Sequence, residues 1–303
     1  MHGILNINKP SGMTSFAVIR KLRGILKIRK IGHAGTLDPG ATGVLPVCIG
    51  KATKVIEFLM EKDKSYHVVM RLGIETDTQD ASGEILSRRI VASTDEEIAE
   101  VIFSFVGDIM QIPPMYSAVR VDGKRLYEFA RRGVEIERKP RPVTIKTIEN
   151  LRIMRESEEV RACFHVTCSR GTYVRTLCAD IGSRLGCGGH MESLVRTRAG
   201  PFRLEDAITL EEVEERADDG TLQDVVIGMD MALAEFPGLT VAGDQAVRLG
   251  NGMAVPCPVP PVEGGGLVRV YHEDQSLIAI GRIINRGGKA MLKSQKWLGG
   301  QSK

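Results

Sequence analysis

The chain has 303 residues, of which 43% are hydrophobic and 26% are charged, and its formal net charge is +3. This composition excludes a fibrous or fully disordered chain and is typical of an ordinary soluble globular protein. The length exceeds that of most single domains, so we expect one large and one small domain.

The first elements surround a glycine-rich stretch. A short strand is predicted at residues 4–7, followed by an amphipathic helix, because the apolar residues between 18 and 26 recur at helical spacing. Ser15 is the predicted N-cap of that helix. The glycine-rich residues 32–43 are predicted to form a loop, and the apolar residues 44–49 a buried strand.

Strands and helices then follow one another without a regular βαβ repeat. This pattern predicts an α+β fold around a mixed or antiparallel sheet. The predicted strands are 66–72, 143–154 and 160–168, and the predicted helices are 94–105, 126–132, 172–185 and 210–217.

The composition changes near residue 237. Beyond it, short β-like segments at 246–249, 267–271 and 277–284 alternate with stretches rich in proline and glycine. We therefore predict a large domain over residues 1–237 and a small β-rich domain over 238–303.

Neither a membrane span nor a secretory signal is visible. No apolar run approaches the roughly 18 residues that a span requires, and the N-terminal residues lack the basic and apolar regions of a signal peptide. The six cysteines form no Cys-x-x-Cys pair and none stands beside a histidine at zinc-ligand spacing. We expect a cytoplasmic protein with reduced cysteines and no metal.

Two segments concentrate positive charge. Residues 20–30 carry six Lys or Arg and no acid, and residues 120–142 carry a net charge of +4. Acidic side chains gather elsewhere, as at residues 211–215. This separation predicts a basic side suited to a polyanion and an acidic side facing solvent, although solvated helix faces explain either run by itself.

The glycine-rich loop matches no standard phosphate-binding motif. It contains no Gly-x-Gly, and the Gly-Lys pair at 50–51 is followed by Ala52. Its distinctive group is the carboxylate of Asp38, with glycines nearby that let a substrate approach the backbone closely. Taken alone, Asp38 fits a structural Asp-Pro-Gly turn better than a catalytic role, and His33 fits an ordinary loop histidine.

Six blocks of sequence, taken together, change this balance. They are INKPSGMTS at 7–15, GHAGTLDP at 32–39 with ATGVLP at 41–46, KSY at 64–66, PPMYSA at 113–118 with GKRLYEFAR at 123–131, SRGTYVRT at 169–176, and HMESLVRT at 190–197. In this order they resemble the TruB family of tRNA pseudouridine-55 synthases. The resemblance implies a pseudouridine synthase catalytic domain over 1–237 and a small PUA-type β-barrel over 238–303.

The resemblance also implies the reaction. The family isomerises one uridine in the T loop of tRNA, detaching uracil at N1 and rejoining it through C5, without a cofactor. A stacked base must be flipped out of the RNA before this chemistry begins. By resemblance, His33 fills the vacated stack.

Three catalytic residues follow from the resemblance. Asp38 stands at the position of the essential aspartate, and Arg175 is the cationic partner that lowers its pKa and fixes its rotamer. Tyr66 stacks on the target base, and its phenol is also a candidate base for the C5 proton. A surface ion pair remains the alternative for Arg175, and a packed core position for Tyr66. Attack at C1′, attack at C6 and elimination through a glycal all remain open.

Other residues are expected to bind the substrate. Leu194 lines the pocket, and Lys9 supports the catalytic loop. Residues 120–142 resemble the mobile insertion that closes over the T arm, so Lys124, Arg131 and Arg132 are expected to contact RNA phosphates.

The expected partner is tRNA, bound at its T arm and acceptor side, by a monomer that needs no protein partner. Two other functions stay open. A guide-RNA-dependent synthase of the related eukaryotic and archaeal type would fail on bare tRNA. A non-enzymatic RNA-folding factor would not need Asp38.

Overall fold

The computed structural model describes residues 1–117, 119–121, 123–130, 132–157, 159–257 and 266–299. Within these ranges the strands are β1 (Gly3–Lys9), β2 (Ile31–His33), β3 (Thr42–Ile49), β4 (Lys64–Leu72), β5 (Ile74–Thr76), β6 (Ile85–Arg88), β7 (Gly107–Gln111), β8 (Arg120–Val121), β9 (Lys124–Arg125), β10 (Arg141–Glu156), β11 (Glu159–Cys168), β12 (Gly189–Ala199), β13 (Phe202–Arg203), β14 (Gly238–Val241), β15 (Val255–Pro256), β16 (Leu267–His272), β17 (Leu277–Arg286) and β18 (Lys289–Trp297). The α-helices are α1 (Ser15–Leu26), α2 (Ile56–Met60), α3 (Asp95–Phe103), α4 (Leu126–Ala130), α5 (Val174–Arg184), α6 (Leu210–Asp218), α7 (Met229–Ala232) and α8 (Gly243–Gly250).

One mixed sheet organises the larger part of the chain. Its strand order is β1-β3-β12-β4-β11-β10-β7, with β2 beside β3 and β13 beside β12. Strands β3 and β12 run parallel, and the other described neighbours run antiparallel. The α+β fold around a mixed sheet is therefore confirmed.

Two groups of helices cover this sheet. Helices α1 and α6 bury their apolar faces against β1 and β3, and α3 and α5 pack with β4 and β11. The hydrophobic cluster formed by α3, α5, β4 and β11 also contains Leu37 and Ala41 from the glycine-rich loop. The loop is thus tied to the core through its own apolar residues.

The N-cap of α1 is one residue earlier than predicted. Thr14 has extended backbone angles, and its hydroxyl accepts a hydrogen bond from the Ala17 N–H at 3.0 Å, which is the N-cap arrangement. The prediction of Ser15 is therefore wrong. Ser15 is buried instead, and its hydroxyl donates to the Leu37 carbonyl at 3.1 Å and accepts from the Leu37 N–H at 2.9 Å.

The basic helix and the acidic segment lie side by side. Lys21 of α1 is 3.2 Å from Glu211 and 3.8 Å from Glu214 of α6. The two glutamates face solvent as expected, but they do not lie on a side separate from the basic helix. The pairing neutralises part of the charge that the sequence places on residues 20–30.

A second sheet has the order β14-β16-β17-β18-β15, beginning at Gly238. It shares a hydrophobic cluster with the first sheet, in which Ile280 and Leu298 pack together with Ile4, Val44 and Phe58. The domain boundary at 237 remains a prediction. No helix in the described ranges has both the length and the apolar character needed to cross a membrane.

One predicted strand of this small domain is a helix. Residues 246–249 lie in α8, where Ala246 and Leu249 are both buried. Their spacing of three residues places both on one helical face, so the short apolar run satisfies a helix as well as a strand.

Gly43 makes the parallel contact between β3 and β12 possible. It is paired with Arg196, its φ is +97°, and a Cβ there would lie 2.3 Å from the Arg196 carbonyl oxygen. The close approach of β12 therefore requires glycine at this position. The sequence analysis had attributed the glycines near Asp38 to the approach of a substrate. Gly40 in the same loop has no atom within 4 Å of its hypothetical Cβ.

We predict that Gly43→Ala lowers the free energy of unfolding by about 2 kcal/mol or more, because the new methyl group meets backbone and the φ angle is strained. Gly40→Ala is the matched control and is expected to change stability by less than about 0.5 kcal/mol. Urea denaturation followed by circular dichroism measures both values. Equal effects of the two substitutions would contradict the explanation.

Candidate active site

The carboxylate of Asp38 lies in the connection between β2 and β3, at a turn closed by a hydrogen bond from the Ala41 N–H to the Asp38 carbonyl at 3.1 Å. The N-terminal segment holds this turn from outside. The Gly12 N–H donates to the Pro39 carbonyl at 2.9 Å, in addition to the Ser15 contacts on Leu37. The turn is therefore fixed on both sides of the carboxylate.

Arg175 contacts the carboxylate at two points. Its Nε lies 3.0 Å from Oδ2 of Asp38, and its Nη2 donates to Oδ1 at 3.4 Å. The Arg175 side chain is 6% exposed, whereas that of Asp38 is 39% exposed. The buried Arg175 guanidinium thus binds one side of the Asp38 carboxylate, and the other side is accessible to a substrate.

Further contacts hold Arg175 in place. Its guanidinium donates to the carbonyls of Tyr116 at 2.9 Å and Thr78 at 3.3 Å. The start of α5 is anchored by Gln111 in β7, whose side chain accepts from the Tyr173 N–H at 3.0 Å and donates to the Tyr173 carbonyl at 3.2 Å. Arg175 therefore projects from a helix end whose position is set by the sheet edge.

A second carboxylate, missed from the sequence, faces the same guanidinium. Asp80 Oδ2 lies 3.6 Å from Nη1 of Arg175. Its Oδ1 accepts from the Thr78 hydroxyl at 2.7 Å and from the Ser82 hydroxyl and N–H at 2.6 and 3.0 Å. The available signal was the dense run of Thr, Asp, Ser and Gly at residues 76–83, which is typical of a loop held by its own side chains.

The pKa of Asp38 is raised above its ordinary value. Burial is the largest cause, and the charge of Asp80 acts in the same direction, whereas Arg175 and Lys9 oppose the shift. The sequence analysis expected Arg175 to lower this pKa, and the charge of Arg175 does act in that direction. The net shift is nevertheless upward, because the desolvation of the carboxylate outweighs the attraction of its partner.

Lys9 lies fully buried next to the turn that carries Asp38. Its ammonium donates to the carbonyls of Met13, Pro10 and Pro39, at 2.6, 2.9 and 3.2 Å. Burial lowers the pKa of Lys9 to about 8, and the charge of Asp38 partly restores it. The lysine contacts the turn that carries Asp38 through the Pro39 carbonyl. Its supporting role remains a prediction.

Tyr66 and Leu194 lie on the neighbouring strands β4 and β12 and are both almost fully buried. Burial raises the pKa of Tyr66 to about 12, and the nearby charge of Asp38 contributes to the increase. Arg196, which is itself buried, is paired with Tyr66 across the two strands, and its interaction with the Tyr66 hydroxyl opposes the increase in pKa. The sequence analysis did not single out Arg196, although it stands in the block that contains Leu194.

The structure describes the remaining predicted residues only in part. His33 ends β2, and its Nδ1 is buried without a hydrogen-bond partner in the described structure. Burial and the charge of Arg196 lower the pKa of His33. Arg132 is exposed, Lys124 belongs to β9 and its side chain is not described, and Arg131 lies outside the described residues.

Acidic, imidazole and thiol groups do not assemble into a metal site in the described part of the chain, since no group of three or more His, Cys, Asp or Glu is placed to hold an ion. The chemistry available here is that of a half-exposed carboxylate whose cationic partner also faces a second carboxylate, beside an aromatic ring and an aliphatic side chain.

Comparison with known proteins agrees with this arrangement. The fold is similar to that in a crystal structure of a Cbf5-Nop10-Gar1 complex, with a TM-score of 0.73 and 28% identity over 99% of this chain and 85% of that one. It is also similar to an H/ACA RNP bound to a substrate RNA containing 2′-deoxyuridine, with a TM-score of 0.74 and 26% identity over 99% and 86% of the two chains.

Family models and sequence relatives give the same class. A model of the TruB family pseudouridylate synthase N-terminal domain matches residues 23–174, and one of the tRNA pseudouridylate synthase B C-terminal domain matches residues 175–234. A tRNA pseudouridine synthase B from Alkaliphilus oremlandii is 49% identical over 83% of this chain and 82% of its own length. The protein of the same name from Geobacillus thermodenitrificans is 46% identical over 92% and 94%.

The fold and the family matches define a pseudouridine synthase, which is an isomerase. More narrowly, the chain belongs to the TruB family of pseudouridylate synthases, as the six blocks of sequence predicted.

We predict that Asp80→Asn moves the acid limb of the pH–rate profile to lower pH. Asp80 raises the pKa of Asp38, so neutralising it lowers that pKa, and a reaction that needs ionised Asp38 then persists to more acidic pH. The plateau rate is expected to fall about tenfold, because Arg175 loses one of its positioning contacts. Single-turnover rates measured across pH 4 to 8, roughly the range of shifted carboxyl groups, test both effects.

Asp77→Asn is the matched control. Asp77 lies in the same loop, where its Oδ1 accepts from the Glu84 N–H at 2.8 Å, a bond that an amide oxygen preserves. Its profile is expected to match that of the wild type. An upward shift in the Asp80 variant, or the same shift in both variants, would contradict the assignment.

Proposed function

We propose that this protein converts the uridine at position 55 in the T loop of tRNA to pseudouridine, with Asp38 as its essential carboxylate and without a cofactor. The observation that carries the proposal is the half-exposed Asp38 carboxylate held by the buried Arg175. The relatives named tRNA pseudouridine synthase B support tRNA as the substrate. The proposal includes action as a cytoplasmic monomer, with residues 1–237 as the catalytic domain.

The reaction is an isomerisation, so the atoms balance within the substrate. The bond from N1 to C1′ breaks, a bond from C5 to C1′ forms, C5 loses a proton and N1 gains one. Ionised Asp38 is suited to this task because Arg175 fixes its rotamer while leaving one side accessible. Addition to C1′, addition to C6 and elimination all use the same ionised Asp38.

Tyr66 is assigned to stacking on the target base. Its ring lies beside Leu194 in an apolar setting that suits a flipped nucleobase. A pKa of about 12 keeps the phenol protonated near neutral pH, which disfavours Tyr66 as the base that removes the C5 proton. The stacking role therefore has more support than the basic one.

The rest of the proposed interface follows the position of the site. His33 stands at the end of β2, shortly before the turn that carries Asp38, which suits a side chain that fills the stack left by the flipped base. Lys124, Arg131 and Arg132 are proposed to contact phosphates of the T arm, and the second sheet to contact the acceptor side. These contacts require RNA binding to weaken as salt rises.

A guide-RNA-dependent reaction is the second candidate, since the fold resembles a protein in an H/ACA RNP at 26% identity. The sequence relatives named tRNA pseudouridine synthase B are closer, at 46% and 49% identity. Reaction with bare tRNA separates the two functions.

We predict that Asp38→Asn abolishes pseudouridine formation, by about a thousandfold or more, because the neutral amide cannot act as nucleophile or base. Affinity for tRNA is expected to stay within about threefold, since phosphate contacts supply most of it. Purified protein is incubated with an unmodified tRNA transcript, and pseudouridine is mapped by carbodiimide-dependent reverse-transcription stops. Asp77→Asn serves as the active control.

A stop at the T-loop uridine with wild type, absent with Asp38→Asn, is the expected result. RNA binding without any stop would favour the guide-dependent or the RNA-folding function. A stop that persists in Asp38→Asn would remove Asp38 from its proposed role.

A further inference from the structure

Arg196 is a buried cation whose partners are mainly carbonyls. It is 1% exposed and forms no ion pair with a carboxylate in the part of the chain that the structure describes. Its Nε donates to the Val44 carbonyl at 2.6 Å, its Nη2 to Gly35 at 3.1 Å and its Nη1 to Thr36 at 3.4 Å. One guanidinium therefore satisfies carbonyls at both ends of the loop that carries Asp38.

One glycine of the loop is required by the approach of Arg196. Gly43 admits the Arg196 backbone, as described above. Gly35 lies next to Arg196 Nη1, but a Cβ there would lie at an ordinary contact distance of 3.6 Å, so it is the φ of +116° that favours glycine at this position.

The same guanidinium reaches the proposed base-stacking residue. Arg196 and Tyr66 are paired directly across strands β12 and β4, and the interaction of the guanidinium with the Tyr66 hydroxyl opposes the increase in the Tyr66 pKa. A guanidinium has only donors, so the Tyr66 oxygen is the acceptor. The proton of the Tyr66 hydroxyl must then point away from Arg196 and is available to another acceptor.

We propose that Arg196 is a positioning residue for the isomerisation, which fixes the Asp38 loop relative to Tyr66 and orients the Tyr66 hydroxyl as a hydrogen-bond donor to the uracil ring. This inference rests on the proposed roles of Asp38 and Tyr66. Negative charge develops on the uracil oxygens when the bond to C1′ breaks. A fixed donor backed by a cation stabilises such charge more than it stabilises the neutral base.

The chemistry of the site favours this role over that of a simple structural link. Burial of a cation without a carboxylate is costly, and burial indeed lowers the pKa of Arg196, while Tyr66 opposes that shift. A carboxylate partner would cancel the positive potential beside the base. Carbonyl partners hold the guanidinium and leave that potential in place.

The test uses Arg196→Lys, Tyr66→Phe and the double variant in the full chain. Arg196→Lys keeps the charge but loses the fork of donors, and Tyr66→Phe keeps the ring but loses the hydroxyl. Single-turnover rates with saturating tRNA transcript, tRNA Kd values and thermal melting are measured for each. The matched control is Arg198→Lys, since Arg198 lies on the same strand but donates to Ser65 Oγ at 3.2 Å.

We expect each single substitution to slow the bound-state reaction by about tenfold, with tRNA Kd changed by less than about threefold. The double variant is expected to be no slower than about twice the slower single variant, because both act through one hydroxyl. Arg196→Met is expected to lose about a hundredfold, so that lysine rescues part of the rate. Arg198→Lys is expected to react like the wild type.

Two results would overturn the inference. One is a normal rate in Arg196→Lys or Tyr66→Phe, and the other is multiplication of the two single effects in the double variant. If Arg196→Met fails to fold, the lysine and phenylalanine variants still decide the outcome. An inactive wild type, or an active Asp38→Asn, would instead refute the proposed function, so the two failures are distinguishable.

Discussion

The site depends on the contact between a half-exposed carboxylate and a buried guanidinium. Burial of Asp38 raises its pKa, and Arg175 works against that increase from a fixed position. If the carboxylate were more buried, more of it would be protonated near neutral pH, and if it were more exposed, its rotamer would be free. The distance between Asp38 and Arg175 is kept constant by two sets of hydrogen bonds. Gln111 holds the start of α5 at Tyr173, and the carbonyls of Thr78 and Tyr116 hold the guanidinium.

The cationic side chains around the Asp38 turn bind mainly backbone carbonyls and form few ion pairs. Lys9 and Arg196 direct their donors mainly at backbone carbonyls, and Arg175 divides its donors between carboxylates and carbonyls. The backbone of the turn is therefore held by charge-assisted hydrogen bonds, which are stronger than neutral ones. A rigid turn of this kind fixes the orientation of the Asp38 carboxylate although the carboxylate is only partly buried.

Much of the fold was accessible from the sequence because local patterns are strong here. Strands such as β4 and β11 alternate buried and half-buried residues, and α3 and α6 begin with capping boxes. The errors arose where one short pattern fits two structures, as at residues 246–249. They also arose where adjacent Thr and Ser compete for a cap, as at Thr14 and Ser15.

The site was only partly accessible for a different reason. Asp38 and Arg175 were found through blocks that resemble a family, since nothing in their local sequence shows that residues 137 positions apart meet. Asp80 and Arg196 were missed because their roles come from burial and from carbonyl partners, which no spacing rule reports. The direction of the net pKa shift of Asp38 could not be predicted, because it depends on how far desolvation outweighs the charge of Arg175.

The hydrophobic cluster that joins the two sheets fixes the spacing between them. Ile280 and Leu298 are packed against Ile4 and Phe58, and an edge-to-face contact between Phe58 and Phe236 closes the junction. Separating the sheets would expose this apolar surface to water, so the junction resists hinge motion. A ligand that contacts both sheets must therefore match a fixed spacing between them. An RNA is then selected by the distance between the two parts that contact the sheets, as well as by the base that is flipped out.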